Sequence, residues 1–162
     1  MVDAQSFKEV MARWPTGISV ITSAYQDNWQ GFTANSFASV SISPFLISMS
    51  IDKKADTLPI IEKSGVFAVN ILRTSQIDWG MRFAGMIPEY EEQRFNGIEV
   101  SLSDNGCPLL PGVLAWMDCK VYQSVDLGGS TLFLGEVTGT YWEEGEALAY
   151  WNRQWGKFEP QE

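Results

Sequence analysis

The sequence contains no histidine among its 162 residues. This absence excludes Ser-His-Asp and Cys-His nucleophile systems, histidine zinc sites and two-histidine iron sites. An enzyme of this composition must take its reactivity from a bound cofactor, or from carboxylates, lysine, tyrosine or cysteine. The composition therefore favours a cofactor site over a catalytic triad.

Basic residues are also few, with 11 Lys and Arg against 20 Asp and Glu, a net charge of −9 and a pI near 4.4. Nucleic acids and anionic membrane surfaces are bound by clustered cations, so both are unexpected partners. No apolar run is as long as a membrane span, and the N-terminus lacks the basic and apolar regions of a signal peptide. We expect a cytoplasmic protein.

The two cysteines, Cys107 and Cys119, are too far apart for a CxxC motif, and with no histidine we expect no metal site. The sequence leaves one disulfide open, but Cys119 alternates with apolar residues and is interpreted as a core residue. The GxGxxG and GxxxxGK[ST] motifs are absent, so any nucleotide must be held in another way. Aromatic residues reach 13%, which suits stacking on a flat ligand, a core or a subunit interface.

The order of elements predicts a mainly β fold. Seven segments have strand character, at residues 17–24, 29–36, 45–51, 66–72, 113–125, 130–142 and 147–151. Three short helices are expected: one begun by the capping box Ser6-Phe7-Lys8-Glu9 and ended by Pro15, one capped by Asp56 and ended by Gly65, and one over residues 75–84 ended by Gly85. Strands that follow one another through turns favour an antiparallel barrel, and the lack of repeats or linkers predicts one domain over residues 1–162.

Residues 31–41 combine small polar, small apolar and aromatic side chains at the end of a strand. A flavin ring needs this mixture, with apolar contact on its faces and hydrogen-bond partners along its polar edge. Asn35 offers an acceptor and two donors, and Thr33, Ser36 and Ser39 offer hydroxyls, while Ala34 is small enough to let a ring approach the backbone. The alternative interpretation is a strand that ends in a polar turn.

Residues 51–57 place Lys53 and Lys54 beside the start of a predicted helix. Ammonium groups and free N–H groups together favour a phosphate. Asp56 works against an anion at this position. A solvated charged turn is the alternative.

Taken together, these segments resemble the short flavin reductases of the FMN-binding split-barrel family, the reductase components of two-component monooxygenases. The resemblance covers about residues 6–155 and is carried by Arg13-Trp14-Pro15-Thr16-Gly17, residues 31–41 with Pro44, residues 64–72, Gln76, Arg82-Phe83-Ala84-Gly85, Arg94-Phe95, Gly106-Cys107-Pro108, residues 115–119, residues 131–137 and Tyr150.

The resemblance implies an antiparallel split β-barrel of six to seven strands with a few short peripheral helices. It implies an NAD(P)H:flavin oxidoreductase that binds FMN or FAD, uses NADH or NADPH, forms a homodimer with flavin near the interface and supplies reduced flavin to a monooxygenase. The cofactor-binding positions that it implies are Thr33, Ala34, Asn35 and Ser36 for the ring, Ser39, Val40, Ser41, Lys53 and Thr57 for the phosphate, and Phe83, Ala84 and Gly85 in a loop over the flavin, with Ser50 and Asp52 as further cofactor-binding positions.

Two positions depart from the family pattern. Ala55 stands where members often have Ser, and Ser130 stands where many have a His that meets the nicotinamide. Because hydride passes between two cofactors, no side chain is required as acid or base. Because Ser130 has no ring, we expect the nicotinamide to pack against neighbours such as Phe83 or Trp151. An FMN-binding electron-transfer protein that does not use NAD(P)H, and a flavin-free interaction module, are the rival functions.

Overall fold

The computed structural model describes residues 1–161. Its helices are α1 (Ala4–Met11), α2 (Thr57–Ser64) and α3 (Ile77–Phe83), with single 3₁₀ turns at Thr74–Gln76 and Pro88–Tyr90. Its strands are β1 (Thr16–Gly17), β2 (Ser19–Tyr25), β3 (Asn28–Ala34), β4 (Ala38–Ile42), β5 (Phe45–Asp52), β6 (Val66–Ile71), β7 (Ser101–Leu102), β8 (Pro108–Leu109), β9 (Ala115–Asp126), β10 (Ser130–Trp142), β11 (Leu148–Trp151) and β12 (Gln154–Lys157).

Seven strands form one antiparallel sheet in the order β3-β2-β6-β9-β10-β5-β4. The sheet is curled. Ala34 of β3 packs in the same core cluster as Met49 of β5, although β5 lies five positions away in the strand order. Its two edge strands, β3 and β4, are consecutive in the chain. The prediction of a mainly β, antiparallel split barrel of up to seven strands is confirmed.

The barrel is filled by side chains that alternate along its strands. Phe67, Met49 and Phe133 are at most 2% exposed, and α2 covers one end with Leu58 and Ile61. At Gly135 an added Cβ would lie 2.3 Å from Cζ of Phe67, so the Phe67 ring occupies the space that any larger residue on β10 would need. Cys107 and Cys119 are buried free thiols, and the disulfide left open by the sequence is not formed.

A second, smaller sheet of β1, β11 and β12 packs beside the barrel. Its Leu148 joins a cluster with Leu72 of the barrel wall and Phe83 of α3. Trp155 of β12 lies so close to α3 that a Cβ at Gly80 would be 2.9 Å from Trp155 Cζ3. The small sheet therefore fixes α3 against the barrel. No helix in the described part of the chain is both long and apolar enough to cross a membrane.

The predicted start of α1 is wrong. The helix begins at Ala4 because the Asp3 carboxylate accepts a hydrogen bond from the Ser6 backbone N–H at 2.7 Å, so Asp3 and not Ser6 is the N-cap. None of the eight residues of α1 is buried. Its apolar side chains, including Phe7 and Val10, remain at the surface.

The predicted cap of α2 is also wrong in its mechanism. Asp56 has helical backbone angles, and its side chain makes no capping hydrogen bond, since a residue already in the helix cannot fold its carboxylate back over the first amides. The predicted end at Gly65 is confirmed, with φ of 69°. Strands β4 and β12 were missed because both are short and largely exposed, so neither shows strong alternation.

Candidate functional site

The first part of the site lies where β3 leaves the edge of the barrel. Ala34 is buried and its carbonyl accepts a hydrogen bond from the Ser19 hydroxyl at 3.1 Å, while Asn35 and Ser36 are exposed. The Ser36 hydroxyl donates to the Ser50 carbonyl oxygen of β5 at 3.3 Å. Among the hydrogen bonds within residues 1–161, none uses the Asn35 carboxamide. Two donors and an acceptor are therefore free for a ligand at this edge.

Thr33 and Thr57 lie deeper than the sequence indicated. The Thr33 hydroxyl donates to the Gly80 carbonyl oxygen at 2.6 Å, so its proton already joins β3 to α3. Thr57 is only 1% exposed at the first residue of α2. The Thr33 hydroxyl proton is therefore engaged within the protein, and the Thr57 side chain is buried.

Along β5 the wall continues to the turn between β9 and β10. Ser50 is half-buried, and Asp52 lies opposite Ser130 in the antiparallel register. The Lys53 N–H donates to the Gly129 carbonyl oxygen at 3.1 Å, and the Lys53 ammonium is paired with Asp126. The predicted residues Ser36, Ser50, Asp52 and Lys53 therefore follow one another along one edge.

Sequence reasoning missed Asp126. Its carboxylate also accepts from the Gly128 N–H at 2.7 Å, which fixes it in the turn beside Lys53. The hydrogen bond from Lys53 holds the pKa of Asp126 below its ordinary value. The only signal in the sequence was an acidic residue next to the predicted turn, 73 positions from Lys53. A phosphate at Lys53 must compete with this carboxylate.

The structure does not bring Ser39, Val40 and Ser41 to Lys53. Ser41 is paired with Leu46 of β5, and Lys53 follows seven residues later, a separation of about 20 Å at the rise of a β-strand. Ser41 and Lys53 therefore do not lie side by side within one chain, and phosphate contacts at both stay a prediction. Ser39 and Ser41 instead line an apolar groove of about 500 Å³ with Ile42 and Phe45.

The loop after α3 is held tightly to β3. Phe83 is 1% exposed, lies against Gly31 and meets Phe95 edge-on, with ring centroids 5.1 Å apart. Arg94 donates to the Gly31 carbonyl oxygen at 2.9 Å. Only Ala84 and Gly85 of the predicted loop are exposed. The expectation that Phe83 could support a nicotinamide is wrong, because its ring is inside the core.

On the other side of Asn35, a groove separates α1 from the turn between β11 and β12. Asn35 lines it together with Trp14, Tyr150 and Arg153. Trp151 is half-exposed, and its indole N–H donates to the Arg13 carbonyl oxygen at 3.3 Å. Exposed aromatic surface is therefore available at this end of the site.

The geometry fits a flavin nucleotide along the edge from Asn35 to Lys53. Ser36 lies beside Ser50, and Lys53 follows three residues later, about 10 Å along β5. That span suits the ribityl chain between a ring at Asn35 and a phosphate at Lys53. Asn35 supplies polar-edge partners, Ala34 and Ala38 are small, and Lys53 supplies a cation.

Comparison with known proteins identifies the family to which the chain is similar. The model of the flavin reductase like domain matches residues 11–159. A flavin reductase of Pseudomonas putida is 34% identical over 159 residues, covering 97% of this chain and 91% of that protein. The reductase subunit of a flavin-dependent monooxygenase from Mycobacterium tuberculosis is 35% identical over 136 residues, covering 84% of this chain and 71% of that protein.

A solved structure shares the fold over the whole chain. The NADH:FAD oxidoreductase of Streptomyces globisporus superposes with a TM-score of 0.88 at 29% identity, covering 100% of this chain and 93% of the other. The similarity therefore includes α1 and the small sheet as well as the barrel.

Proposed function

The chain belongs to the flavin reductase-like domain family, and from this premise we propose that it is an NAD(P)H-dependent flavin reductase. It takes a hydride from a nicotinamide and passes it to FMN or FAD. The observation that carries the proposal is the continuous edge of Asn35, Ser36, Ser50 and Lys53, which offers ring-edge partners at one end and a cation at the other.

The chain's own residues bind and align. Asn35 meets the polar edge of the ring, Ala34 and Ala38 leave room for its face, and Lys53 compensates the phosphate charge. When bound, the flavin supplies the hydride acceptor, so the absence of histidine leaves the chemistry intact. The remaining requirement is alignment of the two rings at about 3–3.5 Å.

An aromatic ring that stacks on the nicotinamide must be supplied by residues outside the β9–β10 turn. Ser130 begins β10 opposite Asp52 and has no ring to offer. Phe83 is inside the core. Phe7, Trp14 and Tyr150 line the groove that ends at Asn35. Trp151 is half-exposed and hydrogen-bonded to the Arg13 carbonyl oxygen. These rings are the aromatic candidates.

Ser130 favours a second function, because it stands where many family members have a His that meets the nicotinamide. An electron-transfer flavoprotein would use the same flavin edge and take electrons from a protein partner, with no nicotinamide. The absorption band of bound flavin, followed anaerobically with NADH and with NADPH, separates the two. Bleaching within minutes at millimolar nucleotide supports the reductase, and bleaching by dithionite alone overturns it in favour of electron transfer.

We also propose that the chain works as a homodimer with a monooxygenase partner. The groove beside β4 is bordered by side chains that are strongly exposed in the single chain, Ile42 at 81% and Phe45 at 64%. Burying such apolar surface against a second copy is favourable. It would also place Ser39 and Ser41 at the interface, where they could serve the partner's flavin.

The single-domain organisation over residues 1–162 and a cytoplasmic location complete the proposal. One curled sheet supplies the core of the barrel, and the smaller sheet packs against it through shared side chains. The two free buried thiols are consistent with a reducing compartment.

A further inference from the structure

The groove between α1 and the β11–β12 turn is lined by two cations in a protein of net charge −9. It has a volume of about 260 Å³, and its cations are Lys8 and Arg153. Among the described residues that line it, none is a carboxylate, although the chain carries 20 acidic residues against 11 basic ones. This lining is compatible with a phosphate, which would have to share Arg153 with Glu9, its partner on α1.

A larger cavity on the same molecule shows the contrast. It has a volume of about 790 Å³ and lies between the β2–β3 turn and the loop after α3. Its charged lining residues are Asp27, Asp56, Glu91, Glu92 and Arg94. Four carboxylates against one guanidinium repel a dinucleotide, so size alone does not select the site.

The walls of the groove are suited to a base or a ribose. Phe7 and Trp14 come from the α1 side, Tyr150 from β11, and Asn35 forms the end nearest the flavin edge. Trp14 is 68% exposed and Phe7 is 59% exposed, so both rings present open faces. The groove thus joins aromatic surface, cations and the proposed flavin site.

The backbone at Arg153 adds an independent observation. Asn152 and Arg153 form the two-residue turn between Trp151 and Gln154, with φ of 49° and 63°. Turns of this kind favour Asn followed by Gly, because a side chain is strained in the left-handed region. Arg153 therefore holds a strained backbone at the position that glycine favours, and Glu9 fixes its guanidinium beside the groove.

We propose that this groove binds the phosphate-bearing part of the nicotinamide nucleotide, with Arg153 and Lys8 as the phosphate ligands. The inference rests on the proposed reductase function. In this arrangement the nicotinamide passes Asn35 to reach the flavin. It accounts for nucleotide binding without the aromatic residue that Ser130 replaces.

Arg153 also has a structural role, and the experiment must separate this role from phosphate binding. Its guanidinium donates to the Glu9 carboxylate at 2.7 Å and thereby helps to hold α1 in place. Removing Arg153 therefore removes both a cation and an ion pair. Glu9→Gln breaks the same ion pair but leaves the cation, and it is the matched control.

The experiment measures anaerobic reduction of the FMN-loaded protein against NADH concentration, which gives the Kd of NADH and the limiting rate separately. Arg153→Gly keeps a residue suited to the left-handed turn, so the fold should survive. We expect the Kd of NADH to rise about tenfold in this variant and severalfold in Lys8→Gln, on the scale of a charge-assisted hydrogen bond. The limiting rate and FMN affinity should stay near wild type.

Glu9→Gln should bind NADH as tightly as wild type or more tightly, and Lys63→Gln, a remote surface cation, should change nothing. Unchanged NADH binding in Arg153→Gly overturns the inference. An equal loss in Glu9→Gln also overturns it, because the ion pair and not the phosphate contact would then be responsible. A change of oligomeric mass in Arg153→Gly would assign the groove to a subunit interface instead. If NADH and NADPH both fail to reduce the wild type, the proposed function itself has failed.

Discussion

The Lys53 ammonium lies against the Asp126 carboxylate, so the cation expected at a flavin phosphate is paired with an anion of the same chain. Asp126 is fixed by the Gly128 N–H, and Lys53 is fixed through its backbone by Gly129. A phosphate therefore joins a site that holds one cation and one anion. Flavin affinity should be correspondingly modest.

The Lys53–Asp126 pair predicts opposite effects on FMN binding when one or the other residue is substituted. Lys53→Glu should weaken FMN binding much more than riboflavin binding, because riboflavin has no phosphate. Asp126→Asn should strengthen FMN binding severalfold, within the range of exposed ion pairs, and leave riboflavin unchanged. Fluorescence titration of both ligands at low and high salt measures this, with Lys63→Glu as the remote charge control. Equal losses for both ligands in Lys53→Glu would move the phosphate elsewhere.

Asn35→Leu should cost about 1–3 kcal/mol of flavin binding, because the ring's polar edge loses its partners. The melting temperature should barely change, since Asn35 is exposed and outside the strand ladder. Flavin titration and thermal unfolding are measured together. Asn96→Leu, an exposed asparagine in the loop after α3, is the control. A folded variant with wild-type affinity would remove Asn35 from the site.

Ser130→His should lower the KM for NADH. An added ring beside the flavin edge contributes about 0.5–1.5 kcal/mol on the scale of aromatic pairs. Steady-state kinetics at fixed FMN measure the change, and Ser101→His, at an exposed position on β7, is the control. If KM does not move, the β9–β10 turn does not meet the nicotinamide in this protein.

Gly135→Ala should destabilise the fold by about 1–3 kcal/mol, because its Cβ would lie 2.3 Å from Phe67 Cζ in the barrel core. Urea unfolding measures the loss. Gly156→Ala, where a Cβ meets nothing within 4 Å, should be close to neutral. The double variant Gly135→Ala, Phe67→Leu should recover part of the loss. A neutral Gly135→Ala would show that Phe67 has room to move.

Burial raises the pKa of the Cys107 thiol to about 12, and the pKa of Cys119 is raised for the same reason. A raised folded-state pKa gives stability that is complete below the unfolded value of about 9 and is lost as pH rises toward the folded value. The unfolding free energy should therefore fall above pH 9, by up to about 1.4 kcal/mol per pH unit for each thiol.

Urea unfolding between pH 7.5 and 10.5 measures this slope, and the Cys107→Ala, Cys119→Ala variant is the comparison. The variant should show a flatter dependence. A thiol reagent should modify the native protein only at the rate of unfolding. Rapid labelling of the folded protein at pH 7.5 would contradict the assignment.

The sequence by itself determined the fold class, and it singled out residues 31–41 as the candidate flavin-binding segment. Alternation over residues 130–142 and the glycine-rich turn before them are local properties, and the structure has β10 at those residues. The mixture of small, polar and aromatic residues around Asn35 was equally visible. The exposed edge strand β4 could not be recognised in the sequence, because a strand with few buried residues shows little apolar–polar alternation.

Only the tertiary structure decided which of those residues meet. Lys53 and Asp126 are 73 positions apart and touch because β5 and β9 flank β10 in the sheet. Ser41 and Lys53 are close in sequence, yet the antiparallel register places them at opposite ends of β5. Phe83 is buried by Gly31 and Phe95, and the cationic groove forms where α1 meets a turn near the other end of the chain. Contacts of this kind depend on strand order and packing, which local side-chain patterns do not encode.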